Sequence, residues 1–300
     1  MESPKFTKPP DGESIGLPAR FRNMLEGEKV QVIPGVVDVI TAKIAHKEGF
    51  RAIYFSGAAF AMSMGLPNPR MIPMQELTIS IQRIVAAVRA PLIVDIDAEI
   101  GEGANLTKTV LAMETAGAAA IVLGDQPGPN RAEPGEITPV VRAEPLARRL
   151  ATAKSARRDD LVIIARTDAR SSEGLQQVID RANFYLATGA DAIFAEGLER
   201  QEDFAELSKS VKGPLITNLA ESGPEPSLDA YVLGELGYKA VLFPHSPFRV
   251  ALRAVANSYR RLRRFGTQHN LIDVMITQRE IDDLLDYNAN EEGPGEQRVN

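Results

Sequence analysis

The sequence predicts an α/β protein built as a (β/α)8 TIM barrel with a C-terminal helical extension, on three observations. Eight short β-branched or apolar runs alternate with longer amphipathic stretches, the pattern of repeated βα units and a parallel sheet. Four of the amphipathic stretches end in the same phrase, a Gly followed by a small-residue turn into the next run. Polar residues gather where the runs end, as they do at the mouth of a barrel enzyme.

The candidate strands are Val30–Pro34, Ala52–Ser56, Pro91–Asp95, Ala119–Leu123, Leu161–Ala165, Ala192–Ala195, Pro214–Asn218 and Ala240–Phe243. Glycine takes the left-handed conformation at little cost, so Gly49, Gly117, Gly189 and Gly237 mark the turns from helix into strand at the barrel bottom. The opposite strand ends then form the mouth. A barrel of about 250 residues sets the boundaries. Residues 17–287 form the barrel with its C-terminal helices. The polar, proline-containing segment 1–16 and the acidic segment 288–300 are expected to be disordered tails. A doubly wound nucleotide-binding sheet needs a G-x-G-x-x-G turn after its first strand. The turn there reads Gly35-Val36-Val37-Asp38, and Gly101-Glu102-Gly103 after the third strand lacks the third Gly.

With 44% hydrophobic and 25% charged residues, the chain can bury a sizeable core. A net charge of -6 gives no long-range attraction for nucleic acid or an anionic membrane. The longest basic cluster, Arg260-Arg261-Leu262-Arg263-Arg264, precedes Gly266 and reads as the cationic end of a helix. The absence of cysteine excludes disulfides, thiolate metal sites and a Cys nucleophile. No apolar run approaches the ~20 residues that span a bilayer, and the first 20 residues lack a signal-peptide core, so a cytoplasmic protein is expected.

At the mouth, Asp95 and Asp97 stand two apart in an extended segment, so their carboxylates share one side while Val94 and Ile96 take the other. Such a pair either shares a hard cation, Mg²⁺ or Mn²⁺, or caps the following helix. If the chain stays extended, Glu99 falls on the same side. Arg166 ends an otherwise apolar strand, where it must meet an anion. That anion is a substrate carboxylate, gripped by the guanidinium fork, or an internal acid such as Asp168 or Glu196. His245, after Phe243-Pro244, is a candidate general base or donor to substrate. His46 and His269 read as structural or solvated, and no His pair has zinc-site spacing. Ser56, Gly57 and Ala58 form a tight turn whose hydroxyl and N–H groups suit carboxylate oxygens; the alternative is close packing.

These phrases occur in a family order. Tyr54-Phe55-Ser56-Gly57-Ala58, Gly65-Leu66-Pro67, Val94-Asp95-Ile96-Asp97, Gly124-Asp125-Gln126, Ile164-Ala165-Arg166-Thr167-Asp168-Ala169, the run Gly189 to Glu196, and Gly266-Thr267-Gln268 fall at successive candidate strand ends. Over residues 18–287 the chain resembles the isocitrate lyase/phosphoenolpyruvate mutase superfamily, nearest its 2-methylisocitrate lyase-like branch. The resemblance implies a helix-swapped oligomer, usually a tetramer, and Mg²⁺ bound with a small 2-oxo or 2-hydroxy acid. It also implies cleavage of a C–C or P–C bond through an enolate-like intermediate. Carried over by position, Asp95 and Asp97 hold the metal, Ser56, Gly57 and Ala58 grip carboxylate oxygens, Arg166 neutralises the acid, and Tyr54, Glu196 and Asn218 line the pocket.

The departures narrow the chemistry. The lyases carry a Cys-containing acid/base phrase after strand 4; here the stretch from Gln126 to Glu136 has no Cys. Gly124 stands in place of a Glu that supports the metal, and Asn68 in place of an Asp, so Glu99 is the expected replacement carboxylate. The expectation is a metal-dependent carbon–carbon bond-cleaving enzyme, a lyase, decarboxylase or hydrolase of a di- or tricarboxylic acid. Its acid/base is drawn from Asn130, Arg131, Glu133 or His245. The alternatives are a small-acid-binding paralogue without turnover and a phosphonate enzyme.

Overall fold

The computed structural model describes residues 15–96, 104–126, 139–219 and 228–287. It divides into two compact units, Met1–Phe248 and Arg249–Asn300. The tails expected to be disordered, apart from Ile15 and Gly16, lie outside the described residues.

The first unit is a closed barrel of eight parallel strands in sequence order. They are β1 (Gln31–Val36), β2 (Ile53–Phe55), β3 (Leu92–Asp95), β4 (Ala120–Gly124), β5 (Val162–Thr167), β6 (Ala192–Ala195), β7 (Leu215–Asn218) and β8 (Ala240–Phe243). β8 closes onto β1, with Gln31 opposite Ala240 and Pro34 opposite Phe243. The helices are α1 (Leu17–Glu26), α2 (Val39–Lys47), α3 (Gly57–Ser63), α4 (Met74–Ala87), α5 (Ala104–Ala116), α6 (Ala143–Ala156), α7 (Arg170–Glu173), α8 (Leu175–Thr188), α9 (Gln201–Ser210) and α10 (Ala230–Glu235). α11 (Ser246–Phe265) runs into the second unit, which also holds α12 (Gln278–Leu285).

The two-residue period of a strand sorts side chains into two cores. Ile33, Tyr54, Ile93, Val122, Val162, Ile164, Phe194, Ile216 and Leu242 fill the barrel interior, and Phe21, Met24 and Leu25 of α1 pack with them. Their neighbours Val94, Ile121, Leu123, Ile163, Ala165 and Ile193 face outward and meet the apolar stripes of the helices, such as Leu77, Ile81 and Ile84 of α4. Away from the mouth, Asp191 joins separate elements: it accepts from Arg157, from the Ile163 N–H at 2.8 Å and from Arg22 of α1 at 3.2 Å. Although burial opposes ionisation, these donors hold the Asp191 carboxyl below its ordinary range.

Each of the four predicted turn glycines has positive φ: 88° at Gly49 and Gly117, 134° at Gly189 and 97° at Gly237. Two strands run two residues further than expected. β1 continues past Pro34 to Val36, because a proline removes only one backbone donor and Pro34 still lies opposite Phe243. β5 continues past Ala165 to Thr167, because Arg166 pairs with Gly124 of β4. Arg166 is therefore a strand residue with the same orientation as Ile164, pointing inward.

Candidate active site at the mouth of the barrel

Continuing each strand by two residues from its interior apolar side chain gives the next inward layer: Gly35, Ser56, Asp95, Gly124, Arg166, Glu196, Asn218 and Pro244. The barrel changes from apolar to polar at this layer. Its hydrogen bonds join the side chains in three groups.

Arg166 donates Nε to Asp168 Oδ2 at 3.0 Å and Nη1 to Asp95 Oδ2 at 3.3 Å. The same Asp95 oxygen accepts the Tyr54 hydroxyl at 2.9 Å. Gln126 Nε2 holds the other Asp168 oxygen at 2.8 Å. Beside them, Asn218 Nδ2 donates to Glu196 Oε1 at 2.9 Å. All of these side chains are at least partly buried. Three carboxylates, Asp95, Asp168 and Glu196, thus face one guanidinium. Burial, then the charge of Asp168, pushes the Glu196 carboxyl above its ordinary range; Asp95 adds to this, against Arg166 and the Asn218 hydrogen bond. The mouth carries excess negative charge.

Ser56 caps α3 by accepting the Ala59 N–H at 3.2 Å, and its Oγ lies 3.2 Å from His245 Nε2. Gly57 and Ala58 open the first turn of α3, where the helix supplies no backbone acceptor for their N–H groups. A Cβ built on Gly57 would lie 3.3 Å from the Asp95 carbonyl oxygen, so this turn sits close against the end of β3. His245 is placed by a tighter approach: a Cβ on Gly35 would lie 2.0 Å from the Pro244 carbonyl oxygen. Only glycine lets β1 pass the Pro244-His245 turn at that distance.

The sequence-predicted residues Tyr54, Ser56, Gly57, Ala58, Asp95, Arg166, Glu196, Asn218 and His245 therefore lie at the ends of β2, β3, β5, β6, β7 and β8. Asp97, Glu99, Asn130, Arg131 and Glu133 lie outside the described residues, and among the described residues no group of three acidic or histidine side chains is arranged to hold a metal ion. Of the two alternatives for Arg166, an internal acid is present, and there are two of them, Asp168 and Asp95. His46 and His269 are exposed, as expected. Asn68, where an Asp was expected from the resemblance, caps the short 3-10 turn Pro69–Met71 through the Arg70 N–H at 2.9 Å.

One strand-end acid departs from the others. Asp125 faces outward, where it is fully buried and accepts from the Asp168 N–H, Arg181 and Tyr185 at 2.9, 3.2 and 3.1 Å. Burial raises its carboxyl above the ordinary range. The strand period was the available signal, since Asp125 has the parity of Ile121 and Leu123.

The sequence pattern of the family described as Phosphoenolpyruvate phosphomutase matches residues 21–263. The chain is 38% identical to a 2-methylisocitrate lyase of Aeropyrum pernix over 276 residues, covering 92% of this chain and 89% of the relative. It is 32% identical to a 2,3-dimethylmalate lyase of Eubacterium barkeri over 89% of this chain and 93% of the relative. A crystal structure of phosphonopyruvate hydrolase in complex with oxalate and Mg²⁺ superposes with a TM-score of 0.80 at 27% identity, covering 91% of this chain and 95% of that one. The barrel, the polar layer at its mouth and these matches together establish that the chain belongs to the phosphoenolpyruvate phosphomutase family, within the isocitrate lyase/phosphoenolpyruvate mutase superfamily.

Proposed function

We propose that this chain cleaves a carbon–carbon bond of a small 2-oxo or 2-hydroxy di- or tricarboxylic acid at the barrel mouth, with a divalent cation, Mg²⁺ or Mn²⁺, as cofactor. The observation that carries this reading is the set of three carboxylates around one guanidinium, with Glu196 pushed up by burial first and then by the charge of Asp168. Such a site is short of positive charge, and its donors are all oxygens, the chemistry of a hard cation. Asp95 would hold the cation, with Asp97 and Glu99 as its companions from the sequence. When bound, a divalent cation stabilises negative charge that develops on a substrate oxygen. The names of the relatives, lyases of 2-methylisocitrate and 2,3-dimethylmalate, support the substrate class.

The chain's own residues bind, orient and move protons. Arg166 turns its fork from the internal acids to a substrate carboxylate, and Tyr54 holds Asp95 in place through its hydroxyl. Ser56 with the N–H groups of Gly57 and Ala58 grips carboxylate oxygens, while Glu196 and Asn218 face the rest of the acid. His245 supplies the proton carrier that the missing Cys leaves open, at Nε2 beside Ser56. Asn130 and Arg131 belong to the same proposal as further candidates for that step. We also propose a homo-oligomer, a helix-swapped tetramer. Val250, Val255, Tyr259, Leu262 and Phe265 of α11 are all exposed, an apolar surface that a second copy can cover.

The test is incubation of the pure chain with Mg²⁺ and a panel of 2-oxo and 2-hydroxy acids, following pyruvate, glyoxylate and CO₂, with phosphonopyruvate and release of inorganic phosphate as a separate arm. Turnover of a di- or tricarboxylate is expected. A ligand-induced rise in Tm without turnover would make the chain an acid-binding paralogue. The absence of both turnover and a ligand-induced rise in Tm would sink the reading.

A further inference from the structure

The ladder between β4 and β5 changes its acceptor at its upper end. Asp125 N–H donates to the Arg166 carbonyl at 3.2 Å, but the Asp125 carbonyl accepts from the Val141 N–H at 2.8 Å. The Asp125 carboxylate therefore takes the next ladder donor, the Asp168 N–H, at 2.9 Å. Its other oxygen accepts from Arg181 Nη1 at 3.2 Å and the Tyr185 hydroxyl at 3.1 Å. Arg181 then grips Glu173 with Nε and Nη2 at 2.9 and 2.8 Å, and gives Nη1 to the Val141 carbonyl at 2.8 Å.

A buried pair of this kind is weak evidence for stability, because desolvation offsets much of the attraction. It does fix geometry, since a forked guanidinium bonded to this many partners has one orientation. What it fixes is the backbone of Asp168, whose carboxylate receives Arg166 Nε at 3.0 Å. A line of contacts runs from Arg181 on α8, through Asp125 and Asp168, to Arg166 at the mouth. The Asp125 and Arg181 side chains themselves lie on the outer side of the strands.

We propose that Arg181 and Asp125 are positioning residues for Arg166. They hold the Asp168 backbone, and through it the Asp168 carboxylate, where it aims the Arg166 guanidinium across the mouth. A site built on a strand stays accurate only when neighbours lock its rotamer, and this outer pair does so from behind the sheet. The importance of that aim for acid binding rests on the reading given above, but the aim itself is measurable in the free chain.

The experiment compares the full chain with Asp125→Asn, Arg181→Lys and the milder Tyr185→Phe, and with Glu206→Gln on α9 as control. The first readout is the ¹⁵N signal of the Arg166 Nε–H, assigned by its disappearance in Arg166→Lys. Its exchange with solvent is expected to speed up roughly tenfold in Asp125→Asn and Arg181→Lys, less in Tyr185→Phe, and not at all in Glu206→Gln. The second readout is calorimetric titration with oxalate and Mg²⁺, where affinity is expected to fall about tenfold in the first two variants. Should those two fail to fold, Tyr185→Phe carries the test, since it removes one donor and keeps the ring packed. Unchanged Nε–H exchange in the folded variants overturns the proposal whatever oxalate does. The expected Nε–H response in a chain whose wild type binds no oxalate upholds the positioning and overturns only the acid-binding reading of Arg166.

Discussion

Arg166 of β5 and Asp95 of β3 meet at 3.3 Å across the barrel mouth, and the Asp95 oxygen that receives Arg166 also accepts the Tyr54 hydroxyl at 2.9 Å. Between them β4 presents Gly124, the Cα partner of Arg166, which has no side chain to separate the two. The guanidinium is thus held by internal acids in the free chain, with its side chain 12% exposed, poised where a small anion can reach it. Arg166→Lys keeps the charge and loses the fork, so oxalate binding in the presence of Mg²⁺ should weaken by about 1.5–3 kcal/mol. Calorimetric titration measures this, and wild-type affinity would remove Arg166 from the acid-binding role.

β8 brings His245, the proposed proton carrier, against Ser56. His245→Asn should lower kcat by roughly 10²–10⁴ and leave KM nearly unchanged, because the residue acts on a proton and not on the substrate carboxylate. Ser56→Ala should instead cost stability, about 1 kcal/mol for the lost α3 cap, as well as substrate affinity. A variant pair that shifts KM alone would leave the proton step to another residue.

Much of this site was legible from strand parity. Asp95 and Arg166 share the parity of Ile93 and Ile164, so a barrel predicted from eight apolar runs already aims them inward. The four turn glycines were readable for an equally local reason, a backbone conformation that favours that residue. What the sequence could not supply was distance between strands. Whether Arg166 meets a substrate or an internal acid depends on register, and the Gly124 pairing that sets it is a tertiary fact. Asp125 follows the end of β4 as the mouth acids follow theirs, although its parity faces the helices. Arg181, its partner, lies 56 residues away along the chain, with no local signal to join them.

The raised Glu196 gives a pH dependence with a definite sign. The folded chain retains a proton that the unfolded chain releases near its ordinary value of 4.5. The stability contributed by this group is therefore present below that value and is lost as pH rises towards the folded value. In chelator-treated protein, Glu196→Gln keeps the oxygen that accepts from Asn218 and removes the charge. Its Tm should gain on the wild type as pH is raised above about 4. A difference in Tm that stays constant with pH would mean that Glu196 titrates like an exposed carboxylate.

Gly35 offers the sharpest separation between the two halves of the mouth. Its position leaves 2.0 Å between a built Cβ and the Pro244 carbonyl oxygen, and 3.0 Å to the Phe243 carbonyl, both backbone atoms that cannot rotate away. In Gly35→Ala the end of β8 must move, and small-to-large strain of this kind costs about 1–3 kcal/mol or more. The displaced turn carries His245, whereas Arg166 and Asp95 are fixed on β5 and β3, on the pairings with β4. The variant should therefore melt several degrees lower, lose most of its turnover, and still bind oxalate with Mg²⁺ to within about threefold of wild type. Loss of oxalate binding in a folded Gly35→Ala protein would show that the strain reaches β3 and β5, and that the acid-binding side of the mouth is not independent of the His245 turn.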